Sequence, residues 1–570
     1  MSETADAPAR PFPLGSEVPD DGPLRDAYDT RVAFHRRALE ALEQQAAEVR
    51  RGGGAKSVER QHKRGKLTAR ERIAALLDDD SSFREIGLFA GRGMYEDEGG
   101  CPAGGTVMGL GHVRGRLCMV VANDATVKAG AWFPITAKKN LRAQEIALEN
   151  RVPIIYLVDS AGVFLPMQDE IFPDRDHFGR IFRNNARLSA LVVPQIAAIM
   201  GSCVAGGAYL PIMSGESLIV DGTGSVFLAG PFLVQAAIGE EVDVETLGGA
   251  TTQTDISGVC EYRMPDDQTC LETVRDLVGG LGPLPRFGFT RDESVPPAFD
   301  LEGVLGVFPE SRQQPYDTRE VLARIVDADS WTEVKAGYGQ TLLCGYARID
   351  GWSVGIVASQ RQVVRAKAPK GKAAEMQIGG VIYGDAADKA ARFVMQCNQK
   401  RIPLVFFQDA TGFMVGTRAE QGGIIKDGAK LVNAVANSVV PTFTVVIGNS
   451  FGAANYALNG RAYDPRLFLA WPTAQIAVMG GAQAAKTLLS IEERTLSKQG
   501  IELSEQDRQA RLDQIEARYA EQTSPVYAAA RLWVDAIIDP RETRDWLANG
   551  LEMADHNPEM EPFRVGVLQT

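Results

Sequence analysis

The chain has 570 residues, too many for one ordinary core and enough for roughly two to four domains. A hydrophobic share of 45% and a charged share of 23% mark a soluble globular protein, and no apolar run reaches the roughly 18 residues of a membrane span. A net charge of −13 gives no field that favours nucleic acid or an anionic membrane, and the seven cysteines form no Cys-x-x-Cys pair, so reduced thiols in a cytoplasmic setting are expected rather than disulfides or a zinc site.

Residues 1–25 are rich in Pro, Asp, Glu and Ala and are expected to be a disordered N-terminus, with neither the basic start of a signal peptide nor the basic character of a transit peptide. Residues 28–80 read as helices and include the basic stretch QHKRGKLTARERIAALLD. An amphipathic helix over Ala137–Asn150 then leads through Arg-x-Pro into a β-branched strand that ends in Asp-x-x-Gly at Asp159. A polar helix, Val-Val-Pro, a buried strand and a Gly/Ala-rich turn follow. Residues 283–315 hold many prolines and are expected to be a boundary.

Beyond it the rhythm returns. RVPIIYLVDSAGVFLP (Arg151–Pro166) recurs as RIPLVFFQDATGFMVG (Arg401–Gly416), with Asp159 matching Asp409, an offset of 409 − 159 = 250. VVPQIAAIMGSCVAGGAYLP recurs as VVPTFTVVIGNSFGAANYAL, with Gly201 matching Gly448, and GSVFLAGPFLVQAA as AQIAVMGGAQAAKT. Three blocks in one order predict an internal duplication: two homologous α/β domains, residues 26–295 and 300–560, with mostly parallel strands and sites at their carboxyl ends. The second half carries an extra segment, Arg361–Gly384, expected to be a mobile loop, and a charged helical excursion over 489–521 expected to face solvent.

Side-chain machinery is sparse. The five histidines form no zinc motif, and GGGAKS at Gly52–Ser57 lacks the glycine a Walker A lysine needs, so neither a zinc hydrolase nor an ATPase is expected. Gly448-Asn449-Ser450-Phe451-Gly452 fits the nucleophile elbow, with Asp464 and His556 following in hydrolase order. The repeat argues against it, because Cys203 stands at the matching position, and Ser450 is expected to be a small residue in a tight turn. The turns Cys203–Tyr209 and Phe451–Tyr456 place Gly and Ala where a strand gives way to a helix, so free N–H groups can meet a ligand oxygen. Such turns serve equally for close helix–strand packing, and the matched pair supports the two readings about evenly.

At these turns, together with RGKLTARERI (Arg64–Ile73) and FPDRDHFGR (Phe172–Arg180), the sequence resembles the carboxyltransferase (β) subunits of biotin-dependent acyl-CoA carboxylases over residues 30–560. The resemblance implies two crotonase-like (ββα-spiral) domains and an enolate mechanism that needs no side-chain base. It implies that backbone N–H groups of Ala205 and Gly206 hold the thioester oxygen and those of Ala453 and Ala454 the ureido oxygen of biotin. Gly452, Asn455 and Tyr456 would border biotin; Gly207, Ala208, Ala161, Gly162 and His177 would border the acyl group. His177 is expected to pack rather than carry a proton. Lys66 and Arg70, with Arg72, would meet coenzyme A phosphates or be helix-surface charges. The implied partners are an acyl-CoA, an α subunit with biotin carboxylase and biotin carrier, and further copies in a hexameric core whose sites lie between subunits. No Ala-Met-Lys-Met site is present, so biotin is expected on another chain, and no metal is implied. The acyl group implied is 3-methylcrotonyl. Arg361–Gly384 and the ending HNPEMEPFRV also resemble glutaconyl-CoA decarboxylase subunits, and acetyl- and propionyl-CoA carboxylases remain alternatives. Outside this chemistry stand an enoyl-CoA hydratase, for which Glu216 is the single nearby acid, and a non-catalytic CoA-binding scaffold.

Overall fold

The computed structural model describes residues 14–366, 374–499 and 502–569. Two sheets of eight strands repeat one order. The first runs Arg84–Ile86, Thr106–Val113, Arg116–Asn123, Ile154–Ser160, Gln195–Val204, Glu216–Val220, Tyr262–Met264, with Ser225–Phe227 beside the far end of Gln195–Val204. The second runs Thr332–Glu333, Leu342–Ile349, Trp352–Ser359, Leu404–Ala410, Thr442–Phe451, Leu467–Ala470, Ala536–Ile537, with Gln475–Ala477 beside Thr442–Phe451. The duplication therefore extends past the three blocks legible in the sequence to every strand of these two sheets.

Each sheet is mostly parallel, as expected, with antiparallel pairing confined to one edge. The first three strands of each are antiparallel and only the remainder are parallel. The hairpins turn on Arg114-Gly115 (φ 51 and 70°) and Asp350-Gly351 (φ 52 and 79°), the paired left-handed residues a two-residue hairpin requires. Strands Ile154–Ser160, Leu404–Ala410 and Thr442–Phe451 are buried at every residue, as expected of parallel strands covered on both faces.

Helices Pro134–Asn150 and Gly384–Lys400 cross from each hairpin to the next strand, close to the spans expected. Each buries a lysine at the same repeat position. Lys139 donates to the carbonyls of Gly87 (2.9 Å), Ala103 (2.9 Å) and Thr106 (2.5 Å), and Lys389 to those of Tyr338 (2.9 Å), Gly339 (3.2 Å) and Lys335 (3.4 Å). Burial pulls the Lys139 ammonium down to about 7.

Two expectations need correction. Residues 14–25 are not loose: the Ser16 hydroxyl donates to Glu320 (2.7 Å), Arg324 donates to the Ser16 carbonyl (3.2 Å), and a helix starts at Gly22; residues 1–13 lie outside the described residues. The helix Gly22–Arg50 packs on residues 302–308, with His35 bonded to the Phe308 carbonyl at 3.0 Å and Arg36 paired with Glu302 at 2.8 Å. The segment Arg361–Gly384 is folded at both ends. Val364–Arg365 pairs with Met376–Gln377, Val381–Ile382 pairs with Gly412–Phe413, and Arg361 is buried; residues 367–373 lie outside the described residues. The excursion is a helical hairpin, Gly481–Ser497 and Glu505–Gln522, laced by the Arg508–Glu493 ion pair at 2.7 Å. Among the described residues no helix is long and apolar enough to cross a membrane.

Candidate active site

The duplicated aspartates define two corners. At each, strand register slips: Val158 faces Ile199 but Ser160 faces Cys203, and Gln408 faces Val446 but Ala410 faces Ser450. The carboxylate of Asp159 or Asp409 fills the resulting bulge beneath a glycine. A Cβ on Gly201 would lie 1.9 Å from Asp159 Oδ1, and one on Gly448 2.4 Å from Asp409 Cγ, which is why both positions are glycine. Asp159 takes Lys66 Nζ (2.6 Å) and Arg72 Nη1 (3.0 Å), and Arg72 also holds Asp267 (2.8 Å) and the Met200 carbonyl (3.0 Å). Asp409 takes the Tyr316 hydroxyl (3.0 Å), the Asn449 N–H (2.9 Å) and Arg361 (3.4 Å). Burial raises the Asp409 carboxyl even against the Arg361 charge, and lifts the Tyr316 hydroxyl well above its ordinary range.

Past these corners each central strand ends in a positive-φ residue, Ala205 (φ 55°) and Gly452 (φ 55°), and a helical turn begins. Ala205 and Gly206 open the turn Ala205–Ala208, and Ala453 and Ala454 open the helix Ala453–Ala457. First-turn N–H groups have no acceptor within their own helix. Strand register matches Val204 with Phe451, hence Ala205 with Gly452, whose N–H is spent on the Ala477 carbonyl at 3.0 Å. The duplicate of the Ala453–Ala454 pair is therefore Gly206–Gly207. Ala205 and Ala453 are exposed, whereas Gly207, Ala208 and Ala454 are buried. Gly207 is buried just as its duplicate Ala454 is, and Ala208 is buried beside it.

Beside the first turn stands an aromatic wall. Phe178 meets Trp132 (4.7 Å between ring centroids) and Phe182 (5.4 Å), and Phe182 meets the exposed Tyr209 (5.6 Å). A Cβ on Gly206 would lie 3.4 Å from Phe178. His177 precedes Phe178 and its Nδ1 accepts the Asp174 N–H (3.2 Å), a loop-fixing contact. Ala161 donates to the Ala129 carbonyl (3.0 Å), and Gly162 (φ 87°) lies against the Val204 carbonyl, so both border this turn. At the second turn the Ser450 hydroxyl donates to Gln408 (2.5 Å) and accepts from Asn455 (2.7 Å), and exposed Tyr456 stacks on Tyr463 at 6.3 Å. Leu228 and Val478 stand exposed directly after the short strands that pair with the end of each central strand.

Several expected residues are engaged elsewhere. Lys66 is buried on Asp159, and Arg70 is bidentate to Glu85 (2.8 and 2.9 Å), so internal carboxylates hold both charges. The hydrolase elbow does not assemble: Ser450 lies inside a strand, and His556 is bonded to Arg286 (3.2 Å) and the Glu552 carbonyl (2.9 Å). Glu216 opens its strand at the amino end, paired with Ile196, and accepts from Tyr262 (2.8 Å), remote from the turn.

A cavity of about 530 Å³ adjoins Ala129, with Gly52, Gly53, Gly99 and Gly100 in its wall. Arg60, Arg64 and Lys128 also line it, no acidic side chain does, and none of the three is in an ion pair among the described residues. The stretch GGGAKS, without a Walker role, forms part of this cavity. Arg60 and Arg64 belong to the same basic stretch as Lys66 and Arg70, and only burial separates the two pairs.

The family model for the carboxyl transferase domain matches residues 60–566. The chain is 46% identical over 524 residues to the biotin-dependent 3-methylcrotonyl-coenzyme A carboxylase beta1 subunit of Mycobacterium tuberculosis, covering 92% of this chain and 95% of that one. It is 44% identical over 550 residues to the mitochondrial methylcrotonoyl-CoA carboxylase beta chain of Arabidopsis thaliana, covering 95% and 90%. Among solved structures it resembles the P. aeruginosa geranyl-CoA carboxylase beta subunit with a TM-score of 0.83 and 33% identity, covering 98% and 99%. Two matched sheets, two matched turns and these likenesses over nearly the whole length place the chain in the carboxyl transferase family, as the carboxyltransferase subunit of an acyl-CoA carboxylase.

Proposed function

We propose that the chain transfers carboxyl to a short enoyl-CoA, 3-methylcrotonyl-CoA, with the first turn holding the thioester oxygen and the second turn of another copy holding biotin. The observation that carries this reading is the matched pair of positive-φ corners, each followed by first-turn N–H groups and flanked by an exposed apolar residue. Each corner is half a site, and a second copy would complete it in a homo-oligomeric core, hexameric as the family resemblance implies. The names of the relatives at 44–47% identity support the acyl group.

The N–H groups of Gly206 and Gly207, the register match of Ala453 and Ala454, would take the charge that develops on the thioester oxygen in place of the expected Ala205–Gly206 pair, each donor contributing roughly 3–4 kcal/mol of barrier reduction. Phe178, Phe182 and Tyr209 would enclose the acyl chain and exclude water. Arg60, Arg64 and Lys128 would hold the coenzyme A phosphates, replacing Lys66 and Arg70 in that role. At the second turn Ala453 and Ala454 would donate to the ureido oxygen, with Gly452 giving close approach and Asn455 bracing the turn through Ser450. Bound biotin, carried on the partner chain, supplies the carboxyl group and a ring nitrogen that accepts the substrate proton. Cys203 offers no nucleophile, since burial raises its thiol far above the ordinary range.

The test is the chain with a biotinylated partner, ATP and bicarbonate, offered acetyl-, propionyl-, methylcrotonyl- and geranyl-CoA. Preferred formation of 3-methylglutaconyl-CoA is expected. Acyl-CoA binding with no carboxylation of any of the four would leave the scaffold reading instead.

A further inference from the structure

The two corner carboxylates are duplicated, but the groups that hold them are not. Asp159 is held by Lys66 and Arg72, which precede the first sheet, and Asp409 by Tyr316, just past the proline-rich boundary, and Arg361 of the extra segment. Arg361 is built in from all sides. Its Nη2 donates to the Arg312 carbonyl (2.5 Å), and a Cβ on Gly380 would lie 2.1 Å from its Nη1. Gly380 in turn donates to the Gln360 carbonyl (2.7 Å), and its carbonyl accepts the Thr411 N–H (2.8 Å), two residues past Asp409. The Arg361 Nε has no hydrogen bond besides its 3.4 Å approach to Asp409. From Asp409 the contacts continue to the Asn449 N–H, then along the strand to Ser450 and through Asn455 to the turn at Gly452.

We infer that Arg361 is a positioning residue for the second turn alone, acting through Asp409, and that Lys66 does the same for the first turn through Asp159. Independent latches on the two half-sites make their ligands separable by mutation. The extra segment then has a purpose at its root: it delivers the cation that the second corner lacks. This rests on the proposed assignment of acyl-CoA to the first turn and biotin to the second.

The experiment uses the full chain, with free biotin as acceptor of carboxyl from 3-methylglutaconyl-CoA and with calorimetric binding of methylcrotonyl-CoA. Arg361→Met is expected to raise KM for biotin on the order of 10²-fold, the cost of a misplacement near 1 Å, and to leave acyl-CoA affinity within about twofold. Lys66→Met is expected to do the reverse, and Arg361→Lys to recover most of the loss. Arg361→Met combined with Asp409→Asn leaves no unpaired buried charge, so it keeps the fold while biotin KM stays raised. A double variant with wild-type biotin kinetics, or single variants that impair both ligands equally, would overturn the inference. Absence of transfer by the wild-type chain would instead overturn the functional assignment beneath it.

Discussion

Gly448→Ala is the sharpest test of the corner geometry. The added methyl would sit 2.4 Å from Asp409 Cγ and 2.5 Å from Oδ1, inside any tolerable contact. The carboxylate cannot retreat, since Tyr316, the Asn449 N–H and Arg361 fix it from three directions and it is only 4% exposed. Overpacking costs about 1–3 kcal/mol and parting a buried ion pair about 3–5 kcal/mol, so a loss of about 4–8 kcal/mol is expected, a large share of a typical domain's 5–15 kcal/mol. Gly179→Ala is the control, because nothing lies within 4 Å of its added methyl and alanine suits a helix better. Urea unfolding followed by fluorescence compares the two. A Gly448→Ala unfolding free energy within about 1 kcal/mol of wild type would refute the claim that a fixed carboxylate occupies that bulge.

Lys139→Met strands three buried carbonyls and is expected to cost about 3 kcal/mol or more, read as a lowered urea midpoint. Ala205→Gly relieves an alanine held at φ 55° and is expected to stabilise by up to about 1 kcal/mol once glycine's greater unfolded entropy is counted, checked by the same unfolding. His112 is bonded to Glu552 at 3.1 Å, and that bond raises its pKa above the ordinary 6.5. Its stabilisation is therefore fully present below about pH 6.5 and lost as pH rises through the raised value. The stability gap between wild type and His112→Gln, about 1 kcal/mol or less, should narrow between pH 6 and 9 in urea titrations.

Much of the architecture is legible because parallel strands buried on both faces leave continuous apolar runs, and Arg-x-Pro and Asp-x-x-Gly mark their ends twice. The antiparallel hairpins were missed because Thr106–Val113 is buried at nearly every residue and shows no alternation, although Asp350-Gly351 was a turn signal of the right kind. Lys139 and Lys389 were visible as lysines at one repeat position on helices with apolar faces. The corner cations were not, because Lys66 lies 93 residues before Asp159 and Arg361 sits in a segment with no counterpart in the first half. A basic residue near a helix start reads as a phosphate contact until burial shows its charge already spent.

The central claim is that main-chain N–H groups hold the charge, and Ala453→Pro tests it with least disturbance. Ala453 is the first residue of its helix, where proline suits the backbone and removes only the N–H. Carboxyl transfer between 3-methylglutaconyl-CoA and free biotin is expected to slow by roughly 10²–10³-fold, the cost of one lost donor, with acyl-CoA binding unchanged. Transfer at the wild-type rate by a folded Ala453→Pro chain would contradict the account.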